Sequence, residues 1–239
     1  VIADADDGYG NALSTMRTVR EFIQAGVAGL HLEDQKYPKR CGHLAGKQVI
    51  PLDEAVGKFQ AAIDTRDRIL PEFFLIARTD ALGAVGGSLQ HAIERGCVYA
   101  DLGMDSVWCE FTSPDRGPVV EFAQAVRRAH PQLPLSFNYS SSFSWSDDPN
   151  PLTFQELGDL GYKFIFVTIY AAHAAMKSVW DALADLVDQE EGAQFTLERI
   201  THGHATESHH GMSRVPLYRD LERQYIPGTD IRLAQSEGT

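Results

Sequence analysis

Two rhythms of apolar and polar positions alternate along the chain. Short runs rich in β-branched and other apolar residues, Val1–Asp4, Gly29–Glu33, Phe73–Arg78, Ser106–Glu110, Leu135–Asn138 and Phe164–Ile169, read as strands. Between and after them stand longer stretches with helical spacing: Leu13–Ala25, Leu52–Arg68, Leu89–Arg95 with a continuation, Pro118–Ala129, Thr153–Leu160 and His173–Gln189. Pro51 ahead of one helix, Gly26 behind another and Asp115 ahead of Pro118 are the expected punctuation. Six successive βα units predict an α/β protein with a parallel sheet. From about residue 190 the pattern changes. A polar stretch from Thr201 to His210 reads as loop, Leu217–Tyr225 as a helix packing elsewhere in an assembly, and Pro227–Thr239 as peripheral. The expected division is therefore a barrel portion over 1–189 and a helical and loop extension over 190–239 that faces another subunit.

Polar residues are not scattered through these units. Each strand stays apolar until its carboxyl end and then releases Asp4 and Asp6, Glu33 and Asp34, Arg78 and Asp80, Glu110, Asn138 and Ser140, and Thr168. In a (β/α)8 barrel those ends converge on one face, where active sites are built from several strands. Six units are two short of that barrel, and the chain opens strand-like at Val1 without an initiator Met. The expectation is an incomplete barrel from a longer polypeptide, with an open sheet as the alternative.

Composition narrows the partners. The 239 residues, 44% of them apolar, suffice for one large core of about the size of a barrel domain. A formal net charge of −12 has the wrong sign for tracking a phosphate backbone or an anionic membrane, so neither nucleic acid nor membrane is expected. A small polyanionic substrate remains compatible where a metal ion or a local basic cluster supplies positive charge. Three irregularly spaced cysteines and no signal peptide point to a reducing, cytoplasmic setting.

Candidate chemistry gathers at a few places. In Asp4-Ala-Asp-Asp-Gly-Tyr-Gly10 the carboxylates of Asp4 and Asp6 occupy alternate positions and are expected on one side. With Glu33 they offer hard oxygen ligands suited to Mg²⁺, or Mn²⁺ in its place; solvated loop acids are the plainer reading. In Lys39-Arg-Cys-Gly-His43 two cations and a histidine flank a thiol and would favour its reactive thiolate. Cys41 is then a candidate proton donor or nucleophile, Gly42 a point of close backbone approach, and His43 a proton partner or carboxylate holder. A basic surface loop with an incidental cysteine is the alternative. Arg78 offers a two-pronged donor to a carboxylate, or a structural ion pair with Asp80 or Glu33. The Ser136–Trp145 run sets hydroxyl and amide groups between aromatics. His202, His204, His209 and His210 lack partners at zinc spacing and read as loop, and Cys97 and Cys109 read as buried apolar residues.

Taken in order, these segments resemble the isocitrate lyase branch of the isocitrate lyase and phosphoenolpyruvate mutase superfamily, from Val1 to about Gln189. The family's strand-end acids match Asp4-Ala-Asp6 and His31-Leu-Glu-Asp-Gln35, and its lyase signature appears as Lys39-Arg-Cys-Gly-His43. Ala77–Asp80, Trp108–Glu110, Phe137–Trp145 and Phe166–Thr168 align as well. The resemblance implies strands three to eight of a (β/α)8 barrel and Mg²⁺-dependent cleavage of isocitrate to glyoxylate and succinate. It implies Asp4, Asp6 and Glu33 around the metal, Cys41 as proton donor with His43 beside it, and Lys39, Arg40, Gly42, Arg78, Glu110, Asn138, Ser140, Ser142 and Thr168 in the substrate site. A tetramer exchanging C-terminal helices is implied too. Arg40 stands where isocitrate lyases carry a second Lys, a feature of 2-methylisocitrate lyases, whereas the Ser-rich loop and Thr168 resemble isocitrate lyase. Ser141 replaces a usual Pro and Tyr139 a smaller residue. 2-Methylisocitrate cleavage and a non-catalytic barrel fragment serving in assembly are the alternatives.

Overall fold

The computed structural model describes residues 1–235. They form two compact units, Val1–Tyr170 and Ala171 onward.

The first unit is a six-stranded parallel sheet in strictly sequential order. Its strands are β1 (Ile2–Asp4), β2 (Gly29–Glu33), β3 (Phe74–Thr79), β4 (Ser106–Cys109), β5 (Leu135–Ser140) and β6 (Tyr162–Thr168). Helices α1 (Ala12–Gln24), α2 (Leu52–Ile69), α3 (Leu89–Leu102), α4 (Arg116–Ala129) and α5 (Phe154–Leu160) form the crossovers. Sequential order without a reversal is the order of a barrel wall; doubly wound sheets reverse. The helix starts are locally encoded. Asn11 caps α1 through Oδ1, which accepts from Leu13 and Ser14 N–H, and Thr153 with Glu156 forms a reciprocal capping box at α5. Helix α3 runs on past Arg95 and stops at Gly103, whose left-handed backbone is the C-terminal signal.

The strand period of two gives the sheet unlike faces. Leu30, Leu32, Leu75, Ala77, Val107, Cys109, Leu135 and Phe137 are fully or almost fully buried in one apolar cluster with Val19, Phe59, Tyr99, Phe122 and Val126 of the helices. Residues of the other parity stay in register across the strands: Asp4 beside His31, Glu33 beside Arg78, Arg78 beside Trp108, Asn138 beside Phe166, Ser140 beside Thr168. A register shift at Leu135/Ser136 keeps this order at the last strand, with Tyr162 in the helix-facing core and Phe166 against Trp108.

The second unit consists of α6 (Tyr170–Gln189), α7 (Glu191–Thr201), α8 (His209–Met212), α9 (Val215–Tyr225) and α10 (Thr229–Ala234). The expected helix over 217–225 falls within α9; of the expected loop over 201–210 only 202–208 lies between helices, because Thr201 ends α7 and His209 and His210 open α8, and the first unit ends at Tyr170, the first residue of α6. Helix α6 has no buried residue, and its Val179, Trp180, Leu183 and Val187 are exposed. The end of the peripheral tail, 236–239, lies outside the described residues. Among the described residues no helix is long and apolar enough to cross a membrane.

Candidate active site

The polar parity delivers Asp4, Glu33, Arg78, Glu110, Asn138, Ser140 and Thr168 to one face and one end of the sheet, as their strand-end positions predicted. At its centre is Arg78, 7% exposed. Its Nε and Nη2 donate to the two oxygens of Asp80 at 2.8 and 3.0 Å, and its guanidinium lies over the Trp108 ring, 4.5 Å from the centroid. Glu33 stands 3.4 Å from Arg78 Nε, and Glu110 Oε1 lies 4.0 Å from Nη2. The ion-pair reading of Arg78 is thus realised, within the strand-end cluster itself.

In two buried acids desolvation outweighs the nearby cations. Burial pushes Glu33 up to about 7 against the pull of Arg78 and Lys39, and neither of its oxygens receives a hydrogen bond. Burial also raises Glu110, although Arg78 and Lys47 oppose it and Asn138 Nδ2 donates to Oε1 at 3.2 Å. Asp80 goes the other way: burial would raise it, but Arg78 and Lys47 hold it below the usual carboxylate range. Thr168 Oγ1 donates to Asn138 Oδ1, extending the chain of contacts to the last strand.

The 39–43 segment folds onto this cluster. Lys39 Nζ lies 2.5 Å from Asp6 Oδ1 and 3.6 Å from Glu33 Oε1. Gly42 is so close that a Cβ there would sit 2.5 Å from both Arg78 Nη2 and Glu110 Cγ, which is why glycine is required. His43 Nε2 is 3.2 Å from Glu110 Oε1, and its ring meets Phe143 edge-on at 4.8 Å. Burial, with Lys47 and Arg78 nearby, lowers the His43 pKa and favours the neutral ring. The segment is anchored by Gln35, whose side chain accepts from Arg40 N–H and donates to its carbonyl, and by buried Lys47, which donates to Gly42 O at 2.5 Å and Asp80 Oδ1 at 2.8 Å.

The profile of the phosphoenolpyruvate phosphomutase family matches residues 1–187. The isocitrate lyase of Haloferax volcanii is 47% identical over 238 residues, covering all of this chain and 68% of the relative. The chain belongs to the phosphoenolpyruvate mutase and isocitrate lyase superfamily. A further relative, from Corynebacterium glutamicum and named probable 2-methylisocitrate lyase 2, is 40% identical over 79% of this chain and 57% of its own length. Among solved structures, the phosphoenolpyruvate phosphomutase of Streptomyces platensis subsp. rosaceus superposes with a TM-score of 0.77 at 26% identity, covering 95% of this chain and 73% of that one. The chain spans from about half to two thirds of the length of the curated relatives it matches.

In this superfamily member some predicted residues sit differently from expectation. Strand β1 ends at Asp4, and Asp6 lies beyond it with a left-handed backbone, φ 48°, its N–H donating to Asp4 Oδ1. The two acids meet through that turn and not through strand alternation. Lys39 and His43, expected to act on the thiol, are turned to Asp6, Glu33 and Glu110, while Cys41 is exposed. The Arg40 side chain is exposed too; the site holds its backbone. Ser140 Oγ accepts from Ser142 N–H, so these two serines brace their own turn. A cavity of about 720 Å³ lined by Asp7, Gln35, Tyr37, Lys58 and Arg95, among others, contains none of the predicted site residues. Sequence reasoning assigned no role to Lys47, Gln35, His31 and Trp108. The signal for His31 and Trp108 was present, since both have the parity of Glu33 and Arg78. Among the described residues no three His, Cys, Asp or Glu side chains form a ready-made metal cage.

Proposed function

We propose that the protein is a Mg²⁺-dependent lyase that cleaves isocitrate to glyoxylate and succinate. The observation that carries this reading is the seating of Lys39–His43 on Glu33, Arg78 and Glu110, which gathers a thiol-bearing loop, cations and acids at one sheet end. The identity with an isocitrate lyase across the whole chain supports it. On this reading the six strands are strands three to eight of a (β/α)8 barrel, the protein is cytoplasmic, and the region after 189 serves in a tetramer.

The donor set fits a hydrated divalent cation. Mg²⁺ keeps several waters and takes one or two carboxylates plus substrate oxygens, so it needs no three-residue cage. Asp4 is half exposed, Asp6 is reachable, and both buried Glu33 oxygens lack hydrogen-bond donors. Asp4, Asp6 and Glu33 would hold the ion directly or through water. Bound there, it would offset negative charge on the emerging glyoxylate oxygens. Lys39, Arg78 and His43 face the substrate's carboxylates, with Asn138 and Thr168 orienting them through polar contacts. Arg40, Gly42, Ser140 and Ser142 shape the loops around them. In the retro-aldol step a base takes the hydroxyl proton, the carbon–carbon bond breaks, and its electron pair remains on the succinate carbon. Cys41 then delivers its thiol proton to that carbanion.

Arg40, together with the Corynebacterium relative, favours 2-methylisocitrate as a second reading, with pyruvate in place of glyoxylate. One methyl is worth only about 1–3 kcal/mol of discrimination. Incubating the full natural polypeptide with Mg²⁺ and each substrate separates the two: glyoxylate is trapped as its hydrazone and pyruvate is followed by coupled reduction. Isocitrate should turn over faster, and chelation should stop turnover without changing the circular dichroism. Turnover of neither substrate would leave only a role in assembly.

A further inference from the structure

Lys39 occupies an unusual position for a residue assigned to substrate. One ammonium spans two of the acids assigned to the cation, at 2.5 Å from Asp6 and 3.6 Å from Glu33. Glu33 is the more demanding partner. Its side chain has no exposed surface, and neither oxygen has a hydrogen-bond donor. Its other cationic neighbour, Arg78, already donates Nε and Nη2 to Asp80. The Lys39 side chain, by contrast, is 29% exposed and sits on a loop. That loop does not depend on it, since Gln35 holds the Arg40 backbone and Lys47 holds Gly42 O. The ammonium can therefore swing on its flexible stem while the segment stays seated.

We propose that Lys39 is a displaceable counter-ion: it neutralises Asp6 and Glu33 in the absence of a divalent cation, and the cation's arrival expels its ammonium toward a substrate carboxylate. This rests on the reading of Asp4, Asp6 and Glu33 as the cation-binding acids. The physical ground is competition. An ammonium and a divalent cation cannot share two carboxylates, one of them fully buried, without mutual repulsion. The same exchange places positive charge near the substrate only after the cation has bound, so cation binding precedes productive substrate binding.

The test is Mn²⁺ binding to the metal-free full natural polypeptide, read from the electron paramagnetic resonance signal of free Mn²⁺, for wild type, Lys39→Gln and Lys39→Met. Both variants should bind Mn²⁺ about tenfold more tightly or better, about 1.4 kcal/mol. In wild type, acetylation of the Lys39 amine by acetic anhydride, quantified by mass spectrometry against the exposed Lys177, should accelerate several-fold when Mn²⁺ is added. Mn²⁺ binding with unchanged affinity in both variants and Lys39 labelling insensitive to the ion would overturn the counter-ion role and leave the metal reading standing. No Mn²⁺ retained by any of the three proteins would overturn the metal reading, and the counter-ion role with it.

Discussion

Replacing Gly42 by Ala tests whether the loop is seated as described. The added Cβ would lie 2.5 Å from Arg78 Nη2 and Glu110 Cγ and 2.7 Å from Glu110 Oε1, where carbon contacts normally begin at about 3.5 Å. These are side-chain atoms, but they have little freedom to retreat. Arg78 is pinned twice to Asp80, and Glu110, 2% exposed, is held by Asn138 and faces His43. The loop must therefore lift, weakening the Lys47 bond to Gly42 O. Overpacking of this kind costs about 1–3 kcal/mol. Restricting the unfolded chain returns about 0.4–1 kcal/mol, so the net loss lies between about 0 and 2.6 kcal/mol, about 1.3 kcal/mol at the centre of both ranges. Activity should fall further, since a displacement of about 1 Å at reacting groups costs about 10²-fold. Gly57→Ala is the opposite case. Gly57 is an exposed residue within α2 whose Cβ would meet nothing within 4 Å, and alanine there should stabilise by about 0.5–1 kcal/mol. Urea unfolding of both variants, with kcat/KM for glyoxylate release, reads the contrast. A Gly42→Ala protein matching wild type in both stability and kcat/KM would refute the loop's contact with Arg78 and Glu110.

Asp80→Asn should destabilise by about 3–5 kcal/mol at neutral pH, because it leaves buried Lys47 and Arg78 without their carboxylate. Since the folded-state pKa of Asp80 is depressed, its contribution is full above the unfolded value and is lost as pH falls through the folded one. The gap between wild type and variant in urea must therefore narrow below about pH 3.8, and a gap independent of pH would contradict the pairing. Cys41→Ser should lower kcat by about 10²–10⁴-fold while leaving the urea midpoint unchanged, as Cys41 is exposed. Undiminished kcat would remove Cys41 from the proton transfer. Tyr99→Phe deletes a hydroxyl that donates to Asp34 Oδ2 at 2.7 Å and should cost about 1–3 kcal/mol of stability with little change in KM. A large KM effect would place Asp34 in the site and not in the frame beneath it.

The sheet and its polar face were legible because a parallel strand writes both into one short run. Helix-facing positions had to be apolar in every strand, and the end residues of the other parity were then left polar, as at Glu33, Arg78 and Asn138. Periodicity could not reveal partners distant in sequence. Lys47, in a polar loop, looks like a solvated cation until β3 brings Asp80, 33 residues later, to within 2.8 Å. Nor does adjacency in sequence fix direction: Lys39 and His43 flank Cys41 and yet turn to acids on other elements.

Arg78 shows why ion-pair and functional readings need not compete. The two bonds to Asp80 hold the guanidinium plane against Trp108, between Glu33 and Glu110, so the structural pair fixes where a carboxylate could be met. Asp80 also accepts from Lys47, which holds Gly42 O. A strand-end guanidinium and the loop above it are therefore positioned by one buried carboxylate. Asp80→Asn should accordingly disturb the loop as well as the strand end. If trypsin cleavage after Arg40, whose side chain is exposed, did not accelerate in that variant while its fold persisted, the two would be positioned independently.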